Sequence, residues 1–300
     1  MANDALRNLS AGTLAADSAV PIQNTSGATR MEQAAYSELG GLVLSSDSLT
    51  TANLTASVGT LHQLTIAGLT AIRDFILPDT AAVGERIALY VVDGDPDYEV
   101  KIKTAAAGSL LNGTDHSSSE WSKVFIQNET VLFRCIKAGG AGDTDWIIES
   151  DGRIPCVTRM YLNGDAVSLL AVAGTEYQVP LNATTTDSSS SADTTNNHIL
   201  IRRGGDYYMS GKAAPSTAGA DFEDFVVKVS SNNNATQLLS SAQKASGTGG
   251  FQAQQCSGVG VAVNAGDTIE VWARSGDTAN RTIRGVSAWS FLEVSEGLVR

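Results

Sequence analysis

The sequence is poor in charged residues, which make up 17% of its 300 residues, against about 25% in an average globular domain. No apolar run approaches the roughly 18–20 residues that cross a bilayer, so we expect no membrane insertion. The first twenty residues, MANDALRNLSAGTLAADSAV, lack the cationic start and apolar block of a secretory signal. We therefore expect a chain that begins at or near Met1 and is made in a cytosol.

Basic residues are also few and form no patch, with Arg202 and Arg203 the single adjacent pair. The net charge of −12 repels phosphate backbones, which argues against a nucleic-acid partner. The three cysteines, Cys135, Cys156 and Cys256, are odd in number, widely spaced and outside any CxxC motif. This spacing predicts reduced, buried thiols and neither a disulfide framework nor a metal site.

The short motifs of catalysis and nucleotide binding are absent as well. No GxxxxGK[ST], GxGxxG or HExxH motif occurs, and no Gly-x-Ser-x-Gly stands where a strand would meet a helix. His62, His116 and His198 lie far apart along the chain, and a single histidine in a polar loop is usually only solvated. We expect no enzyme, no cofactor and no metal.

The sequence is rich in Ser, Thr, Asn and Gly, with short apolar runs between turn signals, which predicts an all-β fold. We divide the chain into residues 1–70, 71–153 and 154–300. The first part has few aromatics and includes a predicted short helix from Met31 to Leu39, ended by Gly40 and Gly41. Because this part is too poor in large apolar residues to fold well alone, we expect an extended anchoring segment.

Residues 71–153 are predicted to form a small β-sandwich or barrel of about five strands. Two apolar runs flank the acidic turn DGDPD at residues 93–97, two more flank QNE at residues 127–129, and DTDWIIESDGR supplies the last strand. Apolar and polar residues alternate in YEVKIK, as on a half-buried strand.

Residues 154–300 contain nine predicted short strands separated by turn signals, which indicates a β-sandwich or jelly roll. The stretch NATTTDSSSSADTTNN, residues 182–197, is predicted to be a loop because it is so polar. In RRGGDYYMSGKAA, residues 202–214, we predict a hairpin turn at Gly204 and Gly205. Since neighbouring strand residues face opposite ways, only one of Tyr207 and Tyr208 can enter the core.

Three stretches of this last part resemble the jelly roll shared by tumour necrosis factor and the globular heads of complement and collagen proteins. They are HILIRRGGDYYMSGKAA, read as a central hairpin, SGVGVAVNAGDTIEVWA, read as a strand pair, and the closing strand VSAWSFLEV. The chain lacks the collagen stalk and disulfide pattern of the secreted members. Bacteriophage structural proteins reuse this jelly roll, and VGERIALYVVDGDPDYEVKI is similar to the β modules of phage fibres.

The resemblance implies a homotrimer whose aromatic and aliphatic strands face a threefold axis. The candidate interface residues are Tyr207, Tyr208, Trp272, Trp289 and Phe291. It further implies a virion structural protein, a stubby fibre or appendage on tail or head. Its N-terminal region would dock to a capsid, portal or tail protein, and its jelly roll would project toward a host cell-surface glycan or protein. A capsid decoration trimer and, in another class, a tailspike-type polysaccharide hydrolase are the alternatives.

Two acidic stretches leave alternatives open. Asp93, Asp95 and Asp97 could form a calcium loop or a solvated hairpin turn, and the spacing lacks the glycine and later glutamate of a helix-loop-helix site. Asp143 and Asp145, beside a tryptophan, could serve glycoside hydrolysis or simply lie in a turn. The turn is the simpler interpretation in both cases.

Overall fold

The computed structural model describes residues 42–49, 52–140, 142–215, 225–243, 253–276 and 281–297. Throughout these ranges the regular structure is β, so the all-β prediction is confirmed, and they contain no helix of the length and apolarity that a membrane span requires. The chain divides into two compact units, Met1–Ile154 and Pro155–Arg300. The predicted helix Met31–Leu39 lies outside the described residues.

The first unit consists of a seven-stranded and a four-stranded sheet, in the orders β1-β3-β5-β10-β11-β7-β8 and β2-β4-β6-β9. Its strands are β1 Val43–Ser48, β2 Leu54–Thr55, β3 Thr60–Thr65, β4 Arg73–Leu77, β5 Arg86–Asp93, β6 Val100–Thr104, β7 Leu110–Leu111, β8 Thr114–Asp115, β9 Ser122–Val124, β10 Thr130–Lys137 and β11 Asp145–Gly152. The sheets therefore include residues before 71, and the anchoring role of residues 1–70 stays a prediction.

The first six strands form a short parallel coil. The chain alternates between the two sheets, so β1, β3 and β5 are parallel in one sheet and β2, β4 and β6 are parallel in the other. The acidic turn DGDPD consequently joins β5 to β6 across the sheets, and QNE likewise joins β9 to β10. The expected hairpin at the acidic turn is wrong, because each strand finds its partners one turn of the coil away.

Aromatic side chains fill the space between these two sheets. Phe75 of β4 stacks on Phe133 of β10 with ring centroids 6.5 Å apart, and the edge of Trp121 meets Phe133 at 6.4 Å. Trp146 is fully buried and donates its indole N–H to the carbonyl of Pro78 at 3.1 Å. The alternation predicted for YEVKIK is confirmed, since Val100 and Ile102 are buried while Lys101 and Lys103 are partly exposed.

The second unit contains two larger sheets, in the orders β15-β12-β24-β18-β21 and β16-β17-β22-β19-β20, with β14 paired to β22 and β13 paired to β23. Its strands are β12 Val157–Tyr161, β13 Ala166–Leu170, β14 Tyr177–Gln178, β15 Ala183–Asp187, β16 Ala192–Asp193, β17 His198–Leu200, β18 Gly205–Ala213, β19 Phe225–Ser231, β20 Thr236–Gln243, β21 Gln254–Val263, β22 Thr268–Ser275, β23 Arg281–Ile283 and β24 Phe291–Glu296.

This strand order is that of a jelly roll, because strands that follow each other in the chain fall mostly in opposite sheets. One continuous core of buried residues fills the sandwich, among them Met160, Val229, Val271 and Leu292. The five-stranded and six-stranded sheets each present one face to this core and one face outward.

The turn at Gly204 and Gly205 does not form the predicted hairpin. It carries the chain from β17 in the six-stranded sheet to β18 in the five-stranded sheet. The same correction applies to the predicted strand pair β21 and β22, which also lie in opposite sheets. The residue pattern indicates that a strand is present. Which strand pairs with it depends on contacts with residues that are distant in sequence.

The polar stretch at residues 182–197 is not only a loop, which corrects the prediction. β15 is an edge strand beside β12, and β16 is an edge strand beside β17. Edge strands need no apolar face, so the Thr-rich β15 and the two-residue β16 carry little hydrophobic signal. Between them, both carboxylate oxygens of Asp187 accept backbone hydrogen bonds, from Ser191 and Ala192, each at 2.9 Å.

Small residues allow the two sheets to approach closely at Gly211 of β18. A Cβ atom at this position would lie 2.5 Å from a methyl carbon of Val229 and 3.2 Å from one of Val271, both in the opposite sheet. Real Cβ atoms do not tolerate the shorter contact, so glycine is required here by packing. This is the structural role of the small residues that follow the tyrosine pair.

Candidate subunit interface

The tyrosine pair of β18 divides between the core and the surface, as strand alternation predicts. Tyr207 is 1% exposed and donates its hydroxyl hydrogen bond to the carbonyl of Arg203 at 2.6 Å. Burial raises the pKa of the Tyr207 hydroxyl. Tyr208 is 36% exposed and points away from the core. Only the second ring is available to a neighbouring molecule.

The strand register places Tyr208 on the outer face of the five-stranded sheet, which we define as the side chains of β12, β24, β18 and β21 that point away from the core. Three rows cross this face. They are Tyr161–Phe291–Lys212, Arg159–Glu293–Ser210 and Val157–Ser295–Tyr208.

A β-bulge next to Tyr208 exposes an aliphatic side chain. The register of β18 and β21 passes from Tyr207 opposite Val261 to Met209 opposite Gly258, so two residues of β21 face Tyr208 alone. One of the two is Val259, which is 85% exposed. The other is Gly260, whose φ of +68° suits a glycine in a bulge. Tyr208 and Val259 together make the apolar corner of the outer face.

Cations hold the loop that precedes β24 against the same face. Lys212 donates to the carbonyl of Ala288 at 2.8 Å, and its Nζ lies 5.5 Å from the ring centre of Trp289. The guanidinium of Arg284 lies 4.9 Å from that ring. Such cation–π contacts contribute about 0.5–1 kcal/mol at partly exposed sites. The loop is thereby fixed with Trp289 at the margin of the face.

Arg159 covers the second aromatic ring of this face. Its guanidinium lies 4.2 Å from the ring centre of Phe291, forms an ion pair with Glu293 at 3.1 Å and donates to the carbonyl of Ser287 at 3.1 Å. Phe291 is therefore only 7% exposed although it points outward. The charges of Arg159 and Glu293 neutralise each other on the face itself.

The structure thus brings Tyr208, Trp289 and Phe291 to one face and separates the other two candidate residues from it. Tyr207 belongs to the core, and Trp272 lies on the outer face of the six-stranded sheet. Val259 completes the apolar corner and was not among the predicted residues. Its sequence signal is weak, because SGVGVAV predicts a strand without indicating the bulge that exposes it.

The acidic turn after β5 uses its carboxylates to bind the backbone. Asp93 accepts from the amides of Ile66 and Ala67 at 2.7 and 3.0 Å. Buried Asp95 accepts from Gly68 and Leu69 at 3.0 and 3.1 Å, and also from the two amides that follow it in the turn. Within the described ranges no group of three or more His, Cys, Asp or Glu side chains is placed to hold a metal ion.

The second acidic stretch is also engaged locally. Asp143 forms a short ion pair with Lys137, and the tryptophan that follows Asp145 is buried, so its ring cannot stack on a sugar.

Buried His62 binds the Asp47 carboxylate through Nδ1 at 2.8 Å and accepts the Ser57 amide at Nε2 at 3.0 Å. Both of its ring nitrogens therefore serve the fold.

The buried cysteines are likewise structural. Cys135, Cys156 and Cys256 are free thiols in the interior, as predicted. Burial raises the pKa of the Cys135 and Cys256 thiols, which keeps both protonated and poorly reactive at neutral pH.

No protein-family model matches this chain, and no curated protein matches it. Solved structures similar to part of it are murine APRIL, at 12% identity, covering 48% of this chain and 99% of that one with a TM-score of 0.37. The Eiger TNF of S. frugiperda is 16% identical, and the match covers 49% of this chain and 94% of that one with a TM-score of 0.35. The globular domain of zebrafish complement 1qA is 14% identical, and the match covers 48% of this chain and 98% of that one with a TM-score of 0.33. With values this low, the jelly-roll assignment rests on the strand order described above.

Proposed function

We propose that this chain is a homotrimeric structural protein of a bacteriophage virion, a stubby fibre or appendage of tail or head. Its N-terminal region would attach to a capsid, portal or tail protein, and its terminal jelly roll would project and bind the host surface. The observation that carries the trimer is the outer face of the five-stranded sheet, with its exposed Tyr208 and Val259. The virion role is supported by the sequence, in which a part similar to the β modules of phage fibres precedes the jelly roll.

A second copy of the chain suits this face because the charges at its centre are already satisfied. Arg159 pairs with Glu293, and Lys212 binds a loop carbonyl. Covering the centre of the face therefore buries apolar surface without leaving Arg159, Glu293 or Lys212 unpaired, which is the costly case in protein interfaces. Three copies related by a threefold axis close a ring, so no exposed face is left to continue into a filament.

Light scattering of the purified full chain tests the trimer. We expect a mass three times the 31.2 kDa of one chain at micromolar concentration. A mass of one chain at that concentration would overturn this part of the proposal.

Antibody labelling of intact particles tests the virion role. Label at the tail or at sparse sites on the head supports an appendage, and label covering the head surface replaces it with a capsid decoration trimer. Absence of label from particles overturns the virion role. Release of sugar from host envelope by the purified chain would instead support the polysaccharide hydrolase.

A further inference from the structure

We propose that the loop between β12 and β13 contains a site of spontaneous deamidation, Asn163, and that its isoaspartate product loosens the neighbouring loop that carries Trp289. The sequence contains two Asn-Gly pairs, Asn112-Gly113 and Asn163-Gly164. Asparagine is most reactive before glycine, because glycine has no Cβ to keep its amide nitrogen away from the asparagine carboxamide. The structure distinguishes the two pairs and selects the second.

The Asn112 carboxamide is held by a hydrogen bond. Its Oδ1 accepts from the Ile148 amide at 3.1 Å, and the Asn112 amide donates to the Trp146 carbonyl at 2.9 Å. The first of these bonds must break before the Gly113 nitrogen can attack the side chain. Asn112 and Gly113, with φ of +51° and +81°, also form the two-residue turn of the β7–β8 hairpin, which positive φ values suit. This pair is therefore held in an unreactive arrangement.

The second pair is exposed and its reacting groups are not engaged. Neither the Asn163 carboxamide nor the Gly164 amide has a hydrogen-bond partner among the described residues. The main chain of Asn163 is instead held by Asn182, whose Oδ1 accepts from the Asn163 amide at 2.7 Å and whose Nδ2 donates to the Asn163 carbonyl at 3.2 Å. No side-chain hydrogen bond has to break before the carboxamide meets the Gly164 nitrogen.

Water and hydroxide, which reach this exposed loop, are the reactants. After hydroxide removes the proton of the Gly164 amide, the nitrogen attacks Asn163 Cγ and forms a bond to it. The bond from Cγ to the side-chain nitrogen breaks, and ammonia leaves with a proton from water. A second water opens the resulting succinimide ring. Attack at the side-chain carbonyl gives aspartate, and attack at the main-chain carbonyl gives isoaspartate, whose main chain runs through Cγ and is one carbon longer.

The isoaspartate product would disturb the loop between β23 and β24. Gly285 of that loop packs directly on Gly164, since a Cβ atom at Gly285 would collide with the Gly164 main chain. The Gly285 amide also donates to the Asp165 carboxylate at 2.7 Å. A longer main chain at residue 163 displaces both contacts and so removes support from the loop that continues to Trp289. The aspartate product leaves the main chain unchanged.

Peptide mapping of the full chain by mass spectrometry, sampled during incubation at mildly alkaline pH, tests the site. We expect Asn163 to convert about tenfold faster than Asn112, because the Asn112 carboxamide must first lose a hydrogen bond. A synthetic peptide of residues 162–166, LNGDA, gives the rate without the fold. Asn163→Gln is the matched control, which should abolish conversion at this position and leave the rate at Asn112 unchanged.

The indole resonances of the ¹⁵N-labelled chain test the effect on the loop. We expect the Trp289 signal of aged wild type to shift in proportion to its isoaspartate content, with the Trp272 signal as the internal reference. The Trp289 signal should stay in place in aged Asn163→Gln. It should move much less in fresh Asn163→Asp, which has the added charge without the longer main chain.

Conversion of Asn112 as fast as Asn163 would overturn the site. So would an Asn163 that stays intact over about a hundred half-lives of the peptide. A Trp289 signal that does not move in isoaspartate-containing protein would overturn the effect on the loop. Scattering mass and particle labelling are separate readouts, so the deamidation site and the trimeric virion protein can fail independently.

Discussion

Arg203 forms a buried ion pair with Glu296, with 3.0 Å between Nη1 and Oε2, and so joins the start of β18 to the end of β24. Both side chains are almost completely removed from solvent, and Glu296 Oε2 also accepts the Cys156 amide at 3.0 Å. The basic pair in the sequence thus serves the interior of the sandwich, since Arg202 is buried too and donates to the carbonyl of Ser189.

Breaking this ion pair should destabilise the protein strongly. Glu296→Gln removes the negative charge that pairs with buried Arg203, and we expect a loss of about 3 kcal/mol in the free energy of unfolding. Glu293→Gln is the matched control, because the Arg159–Glu293 pair is about one-third exposed and should contribute less than about 1 kcal/mol. Guanidinium unfolding of both variants measures the difference, and equal losses would contradict it.

Tyr207 should make the protein sensitive to alkaline pH. Burial raises its pKa most, followed by the charges of Cys156 and Glu296, so the folded state holds the proton more tightly than the unfolded chain does. Its contribution is complete below the unfolded value of about 10 and is lost as pH rises above it. Urea unfolding between about pH 8 and 11 should therefore show a steeper loss of stability in wild type than in Tyr207→Phe.

The same substitution has a separate cost at neutral pH. Tyr207→Phe leaves the buried carbonyl of Arg203 without its hydroxyl donor, which should cost about 1 kcal/mol. Tyr208→Phe is the control, since its ring is partly exposed and should change stability by less than about 0.5 kcal/mol. An identical pH profile for wild type and Tyr207→Phe would count against the linkage.

Asp95 should contribute stability that disappears in acid. Burial raises the pKa of its carboxyl, but the amides of Tyr98, Asp97, Leu69 and Gly68 together outweigh this effect and hold the pKa below its usual range. The contribution is therefore complete above about pH 4 and is lost as pH falls through the folded pKa. At pH 7, Asp95→Asn should cost about 1–3 kcal/mol, because an amide nitrogen would face backbone donors.

The penalty of Asp95→Asn should shrink when unfolding is measured near pH 2–3, where wild type has lost the same contribution. Asp97→Asn, at an exposed position of the same turn, is the control and should be close to neutral at both pH values. A penalty for Asp95→Asn that is independent of pH would show that shape, and not charge, is what the turn requires.

The apolar corner of the outer face should determine assembly. Tyr208→Arg and Val259→Arg place a charge in the proposed interface, and we expect the light-scattering mass to fall from three chains to one at micromolar concentration. Val172→Arg is the control, because that valine is 57% exposed and lies outside the outer face. Thermal unfolding should show that all three variants stay folded. A trimer that survives both corner variants would place the interface elsewhere.

Short-range features of the fold could be predicted from the sequence because they depend on neighbouring residues. Alternation in YEVKIK and at Tyr207–Tyr208 specifies which side chains of a strand face the same way, and this holds whichever strand lies beside it. The richness in Ser, Thr, Asn and Gly and the short apolar runs between turn signals indicated an all-β chain. The order of the nine strands predicted in residues 154–300 was sufficient to suggest a jelly roll.

Strand partners could not be predicted, because pairing brings together residues that are distant in the chain. The short parallel coil has turns of unequal length, since Thr60 pairs with both Val43 and Ile87, so no repeat period appears in the sequence. The edge strands β15 and β16 carry no apolar pattern, and the bulge that exposes Val259 depends on its register against β18.

The candidate subunit interface was likewise predicted in part from the sequence and decided in part by the tertiary structure. The sequence by itself determined that one ring of the tyrosine pair must leave the core, since successive strand residues alternate. Only the tertiary structure decided that the register of β18 against β21 sets Tyr208 opposite the bulge that exposes Val259. Among the described residues it also left two buried polar atoms of β22, Glu270 Oε2 and Trp272 Nε1, without hydrogen-bond partners, which the residue types alone do not reveal. These relationships arise from sheet register and packing between distant segments, which local patterns do not encode.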